Sequence, residues 1–132
     1  MLYSGIEHVA LATSDTTRLA RWYVDVLGFG IAWEDGKTPP AYLLKTPSGG
    51  LIEIIPSREP LPLLPPPPRR DDPGIRHLAI AVADFDAAYD DLRQKGVSFL
   101  SEPLSGYGNR VIFFTDCDGN ILHIIQRGQV LP

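Results

Sequence analysis

Apolar and polar stretches alternate along the chain in a pattern that predicts one element order twice. Ile6 to Ala12 (IEHVALA) is an apolar run of strand length, and Ser14 or Asp15 offers a helix N-cap ahead of TTRLARWYVDVLG. Within that segment Leu19, Trp22, Tyr23 and Val26 recur at the i, i+3, i+4, i+7 spacing of one buried helical face. The helix is expected to run to Leu27, with Gly28 as a left-handed stop. Strands are expected at Phe29 to Glu34, Ala41 to Thr46 and Leu51 to Ile55, the last two joined by PSGG as a hairpin turn. The order is β-α-β-β-β.

The second half repeats it. Arg76 to Val82 reads as a strand, Asp84 caps FDAAYDDLRQKG, and Gly96 is its stop. Strands are expected at Val97 to Ser101, Arg110 to Thr115 and Ile121 to Gln126, with DCDGN as the turn in the place of PSGG. The expected fold class is therefore α+β, two tandem βαβββ modules at residues 1–56 and 75–127. Between them, Pro56 to Gly74 holds eight of the 13 prolines, including the run Pro65 to Pro68. Such a segment favours extended polyproline II and cannot enter a sheet interior, so residues 57–74 read as a stiff linker. A ligand for a proline-recognising domain and a lid over a site are the other readings.

The duplication also aligns the ionisable residues. IEHVALA with His8 recurs as IRHLAIA with His77 after 69 residues, and GGLIEII with Glu53 recurs as GNILHII with His123 after 70. Strand parity puts His8 on a face with Ala10 and Ala12, and His77 on a face with Ala79 and Ala81. Small neighbours leave a hollow beside each imidazole. Glu53 lies between Leu51 and Ile55 with Ile52 and Ile54 behind, and His123 lies between Ile121 and Ile125 with Leu122 and Ile124 behind, so both faces of these strands are expected to be covered. Burial raises a carboxylate pKa and lowers that of an imidazole unless a cation stabilises the set. A divalent metal satisfies all four residues, since it takes neutral imidazole nitrogens and carboxylate oxygens. The alternative is four separately hydrogen-bonded core groups.

Composition narrows the partners. A chain of 132 residues with 44% hydrophobic content fits a single compact domain with a real core, and a net charge of -4 argues against nucleic acid. A single cysteine, Cys117, makes no intrachain disulfide; it lies in a turn and reads as a spectator. No signal peptide precedes the first strand-like run and no stretch has membrane-spanning length, so a cytoplasmic protein without a membrane partner is expected. DCDGN begins like a calcium loop but lacks the later ligands and the closing glutamate.

In order, IEHVAL, WYVDVLGF, IRHLAI, GVSFLSEP, VIFFTDCDGN and ILHIIQ resemble the vicinal-oxygen-chelate superfamily over essentially the whole chain. That superfamily includes glyoxalase I, methylmalonyl-CoA epimerase, extradiol dioxygenases and the fosfomycin- and bleomycin-resistance proteins. The resemblance implies a glyoxalase-like fold of residues 1–132, with curved mixed sheets forming a cup around a metal, commonly as a homodimer. It also implies metal ligands from the first and last strand of each module, here His8, Glu53, His77 and His123. The chain departs from the family pattern twice: His123 stands where glutamate is usual, and Cys117 replaces proline in the turn.

Three functions compete. The first is a metal-dependent lyase or isomerase of the glyoxalase I type on a small carbonyl substrate. In such relatives the metal holds two neighbouring oxygens and stabilises an enediolate while a carboxylate moves the proton, a role for Glu53 or His123. An imidazole recommends itself because its ordinary pKa is near neutrality. The second is a non-haem Fe(II) dioxygenase, weakened by His123 at the usual carboxylate position. The third is an antibiotic-resistance or small-molecule-binding protein, whose sequestering members generally lack the ligands. The metal is left open among Zn, Ni, Co, Mn and Fe. No convincing basic pocket appears; Arg110, Arg76 and Lys45 read as strand-edge or surface charges. Tyr42, Tyr107, Phe113 and Phe114, like Trp22 and Tyr23, read as core packing.

Overall fold

A computed structural model describes residues 1–59, 69–129 and 131 of the chain. It divides into two compact units, Met1–Leu64 and Pro65–Pro132. The first unit contains β1 (His8–Thr13), α1 (Thr16–Leu27), β2 (Gly30–Glu34), β3 (Tyr42–Lys45) and β4 (Leu51–Pro56). The second contains β5 (Leu78–Ala81), α2 (Phe85–Gln94), β6 (Leu104–Gly106), β7 (Asn109–Thr115) and β8 (Ile121–Gln126). Each forms a four-stranded mixed sheet, in the order β1-β4-β3-β2 or β5-β8-β7-β6, with the first and last strands of the module parallel and the remaining pairs antiparallel. The expected α+β pair of βαβββ modules is what forms.

Local chemistry explains the helix limits. The Asp15 carboxylate accepts the Arg18 backbone N–H at 3.0 Å, and Gly28 takes the left-handed conformation at φ 71° while its N–H donates to the Val24 carbonyl. Asp84 accepts the Ala87 N–H in the same way. The Phe85 N–H instead donates to the Gln126 side chain at 2.7 Å, which ties the start of α2 to β8. Leu19, Ala20 and Tyr23 of α1 are buried, as are Leu44, Ile52 and Ile54 of the sheet; Trp22 and Val26 are only half-buried. In the second unit Phe85 and Leu92 are buried, with Ile112, Phe114, Leu122 and Ile124.

One expected strand is displaced. Val97 to Ser101 makes only a single bridge, Phe99 to Phe114, and the strand forms at Leu104–Gly106 instead. Pairing with β7 shifts by two residues between that bridge and the Leu104 to Val111 pair. Pro103 lies within the shifted stretch and has no N–H with which to continue the ladder. The run Pro65 to Pro68, on which the stiff-linker expectation rests, lies outside the described residues. Among the described residues no helix is long and apolar enough to cross a membrane.

The β7–β8 turn is held by Asp116, which is 4% exposed. Its Oδ1 accepts the N–H groups of Asp118 (2.9 Å) and Asn120 (3.0 Å), and its Oδ2 accepts from the Asn120 side-chain amide at 2.8 Å. Asp116→Ala leaves those donors without their acceptor and is expected to destabilise the chain by about 2 kcal/mol, read as a lowered urea midpoint. The exposed Asp15→Ala cap variant is expected to lose about 1 kcal/mol in the same measurement.

Candidate functional site

Strand register places the four ionisable residues. In the first unit β1 runs parallel to β4 with His8 opposite Leu51 and Ala10 opposite Glu53. Opposed residues share a face, so His8 and Glu53 lie on the same side of the sheet, offset by two residues. The second unit repeats the offset: Ala79 is opposite His123, and His77 precedes Ala79 by two. The other face of each first strand, Val9 and Leu11 or Leu78 and Ile80, lies toward the helix side. Each unit thus brings one pair together, His8 with Glu53 and His77 with His123. The two imidazole rings of the second pair are 4.5 Å apart between centroids.

Burial departs from expectation in an informative way. His8, with a side chain 39% exposed, and His77 are open to solvent although each lies beside an apolar run. His8 opens the edge strand β1 and His77 immediately precedes the edge strand β5, and only alanines follow at the same parity in each. Glu53 is half-buried, so β4 is not covered on both faces, whereas His123 is 9% exposed. The residue opposite makes the difference: Leu43 faces Glu53, and Phe113 faces His123. The Phe113 ring packs 4.9 Å from the His123 ring and 5.6 Å from that of His77. Phe113, read from sequence as core, is therefore part of the site. A hairpin closed by DCDGN already sets it opposite His123.

The imidazoles differ in electrostatics. Burial, with smaller contributions from His77 and Arg127, pulls the His123 pKa down to about 4, so the ring is neutral at physiological pH. Its Nδ1 is buried and finds no hydrogen-bond partner among the described residues. The ordinary imidazole pKa that recommended His123 for proton transfer is thus not kept. His8 moves the other way: the Glu7 carboxylate on its Nδ1 raises its pKa, and the charge of Glu53 adds to the effect. Glu7 was missed as a candidate because strand alternation assigns it to the face opposite His8; it lies outside β1, and its carboxylate meets the neighbouring imidazole.

Among the described residues, no group of three or more His, Cys, Asp or Glu is gathered to hold a metal ion. Arg110 is paired with Asp86 at 2.9 Å and lies 4.4 Å over the Phe85 ring, which commits it to α2. Lys45 is exposed at the end of β3. Arg76 is half-buried, and its Nε has no partner among the described residues. Arg70 instead lies 4.8 Å over the Phe113 ring, the ring that packs on the histidine pair.

Comparison with known proteins gives the same architecture. The family model described as Glyoxalase/Bleomycin resistance protein/Dioxygenase superfamily matches residues 5–124. YwkD of Bacillus subtilis (strain 168) is 33% identical over 137 residues, spanning 96% of this chain and 100% of that protein. The crystal structure of a glyoxalase family protein from Enterococcus faecalis superposes with a TM-score of 0.76 at 28% identity, covering 95% of this chain and 99% of that one. TnmS3, an antibiotic binding protein from Streptomyces sp. CB03234, has a TM-score of 0.74 at 20% identity, with 96% and 98% covered, and shares the fold.

Two measurements check the electrostatics in metal-free protein. With the folded His123 pKa near 4 and the unfolded value near 6.5, the unfolded state binds the proton first as pH falls. Stability is then expected to drop between about pH 6.5 and 4, by at most on the order of 3 kcal/mol, and to level off below. Urea midpoints across that range should show the drop in the wild type and a flatter profile in His123→Gln. His8 has the opposite sign: its small contribution is present below about pH 6.5 and is lost as pH rises through its raised pKa. Glu7→Gln should return the His8 pKa toward its ordinary value in an NMR titration.

Proposed function

The chain belongs to the glyoxalase/bleomycin resistance protein/dioxygenase superfamily, and on that premise we propose that it is a metal-dependent lyase or isomerase that moves a proton beside the carbonyl of a small substrate. The observation that carries this reading is the repeated pair: an exposed histidine at the start of the first strand beside a last-strand Glu53 or His123, at the same sequence offset in both modules. We take residues 1–132 as one glyoxalase-like domain working as a homodimer. Ile31 and Trp33, each 54% exposed on β2, support a covering partner.

By type the donors suit a divalent ion, although among the described residues they are gathered only in pairs. Three imidazoles and one carboxylate suit first-row metals, His123 has a buried nitrogen without a hydrogen bond, and its lowered pKa leaves the ring neutral as a ligand must be. Glu7 on Nδ1 of His8 leaves Nε2 for the ion, in the carboxylate–histidine arrangement common around metals. His8, Glu53, His77 and His123 would hold the ion, which when bound supplies Lewis acidity to the substrate carbonyl. One anionic ligand leaves the centre with net positive charge, which favours an oxyanion.

Glu53 is the general base, a role its carboxylate takes only while it is not bound to the ion. Its carboxylate oxygen takes the proton from the carbon next to the carbonyl and returns it to the same or the adjacent carbon, so no oxidant or other co-reactant is consumed. His123 serves as a ligand, because an imidazole drawn down to about 4 is a poor proton acceptor at neutral pH.

Elemental analysis of the purified protein, followed by metal replacement in assays of hemithioacetal isomerisation, epimerisation and catechol cleavage, tests the reading. Stoichiometric divalent metal is expected, lost in His8→Ala and His77→Ala. Glu53→Gln should lower kcat about 10²- to 10⁴-fold while much of the substrate binding survives. Iron-dependent oxygen uptake would replace the proposal with a dioxygenase, and stoichiometric ligand binding without metal would replace it with a sequestering protein.

A further inference from the structure

A cavity of about 380 Å³ opens in the second unit beside the histidine pair, a size suited to a small molecule. Arg69 and Arg70 supply its positive charge, and Leu100, Leu104 and Phe113 supply apolar wall. Phe113 connects the cavity to the site, since the same ring touches both imidazoles and carries the Arg70 guanidinium 4.8 Å over its centroid. A guanidinium stacked on an aromatic face is fixed in orientation and keeps its in-plane N–H donors for a ligand.

No carboxylate among the described residues pairs with either guanidinium. The neighbouring Asp72 accepts the Arg69 backbone N–H at 2.7 Å. Ser101, also in the wall, accepts the Phe113 N–H at 3.3 Å through its hydroxyl oxygen, so its own proton remains to be donated. Two positive charges, that of Arg70 held over the Phe113 ring, and a hydroxyl against hydrocarbon describe a receptor for an anion attached to an apolar stem. A carboxylate matches the planar guanidinium fork with two oxygens. A phosphate dianion asks for more donors, and none of the wall belongs to a helix N-terminus.

We propose that this cavity is a carboxylate subsite, in which Arg69 and Arg70 hold the acid group of a small oxo acid whose hydrocarbon part lies on Leu100, Leu104 and Phe113. That the acid is the substrate rests on the metal-dependent reading of the histidine pairs. The binding itself requires no metal.

The test is calorimetric titration of the metal-free full chain with hexanoate, hexanamide and inorganic phosphate, with NMR shifts to locate the ligand. Hexanoate is expected to bind at least about tenfold more tightly than the other two and to shift Leu100 and Phe113. Arg70→Gln and Arg69→Gln should each weaken hexanoate about tenfold or more with circular dichroism unchanged, while Arg21→Gln, which lines a separate cavity of the first unit, leaves it unaltered. Equal affinity for hexanamide, tighter binding of phosphate, or wild-type affinity in both arginine variants overturns the proposal. His8→Ala separates it from the metal reading: it should bind hexanoate like the wild type, and loss of binding there also overturns the subsite. If the wild type proves to hold no metal yet binds hexanoate through the two arginines, the enzymatic reading fails and the subsite stands.

Discussion

Parallel pairing between the first and last strand of each module is the constraint on which the candidate site depends. A parallel pair cannot be joined by a tight hairpin, so a helix and two further strands must carry the chain back. The register then decides everything about the face: Ala10 opposite Glu53 and Ala79 opposite His123 put each histidine two residues from its partner on one surface. A slip of one residue would turn Glu53 or His123 toward the helix and break the pair. The buried rows Ile52 and Ile54, and Leu122 and Ile124, resist that slip by filling the opposite face.

Within that shared frame the two modules have diverged through the third strand. Leu43 leaves Glu53 half-open, whereas Phe113 closes over His123 and desolvates it. One pair therefore has a carboxylate and a histidine whose pKa is raised by a second carboxylate. The other has a neutral imidazole beside an arginine-bearing aromatic ring. A single hydrophobic position on a neighbouring strand thus sets whether the polar group beside it is wet or dry.

Much of this was legible in the residues. The repeat singled out His8, Glu53, His77 and His123, strand parity gave the neighbours of each along its own strand, and the aspartate and glycine signals fixed both helices, because these properties depend on local spacing. What failed was what spacing does not encode. Apolar runs around His8 and His77 suggested burial, but they do not reveal that a strand sits at the edge of its sheet. Val97 to Ser101 has strand composition, yet Pro103 and the register change displace the pairing to Leu104. Phe113 was recoverable from the hairpin through DCDGN, had its partner been counted. Arg69 and Arg70 were not, since a proline-rich setting speaks only of backbone stiffness.

The change of register before β6 reaches further than the strand it displaces. Leu100, Ser101 and Leu104, the residues on either side of it, all face the cavity, while β5 and β8 keep an unbroken ladder behind. Insertions or exchanges in that short irregular stretch can reshape the cavity without disturbing the ladder that holds the histidines. A fold built this way can evolve new selectivity while its reactive groups stay where they are.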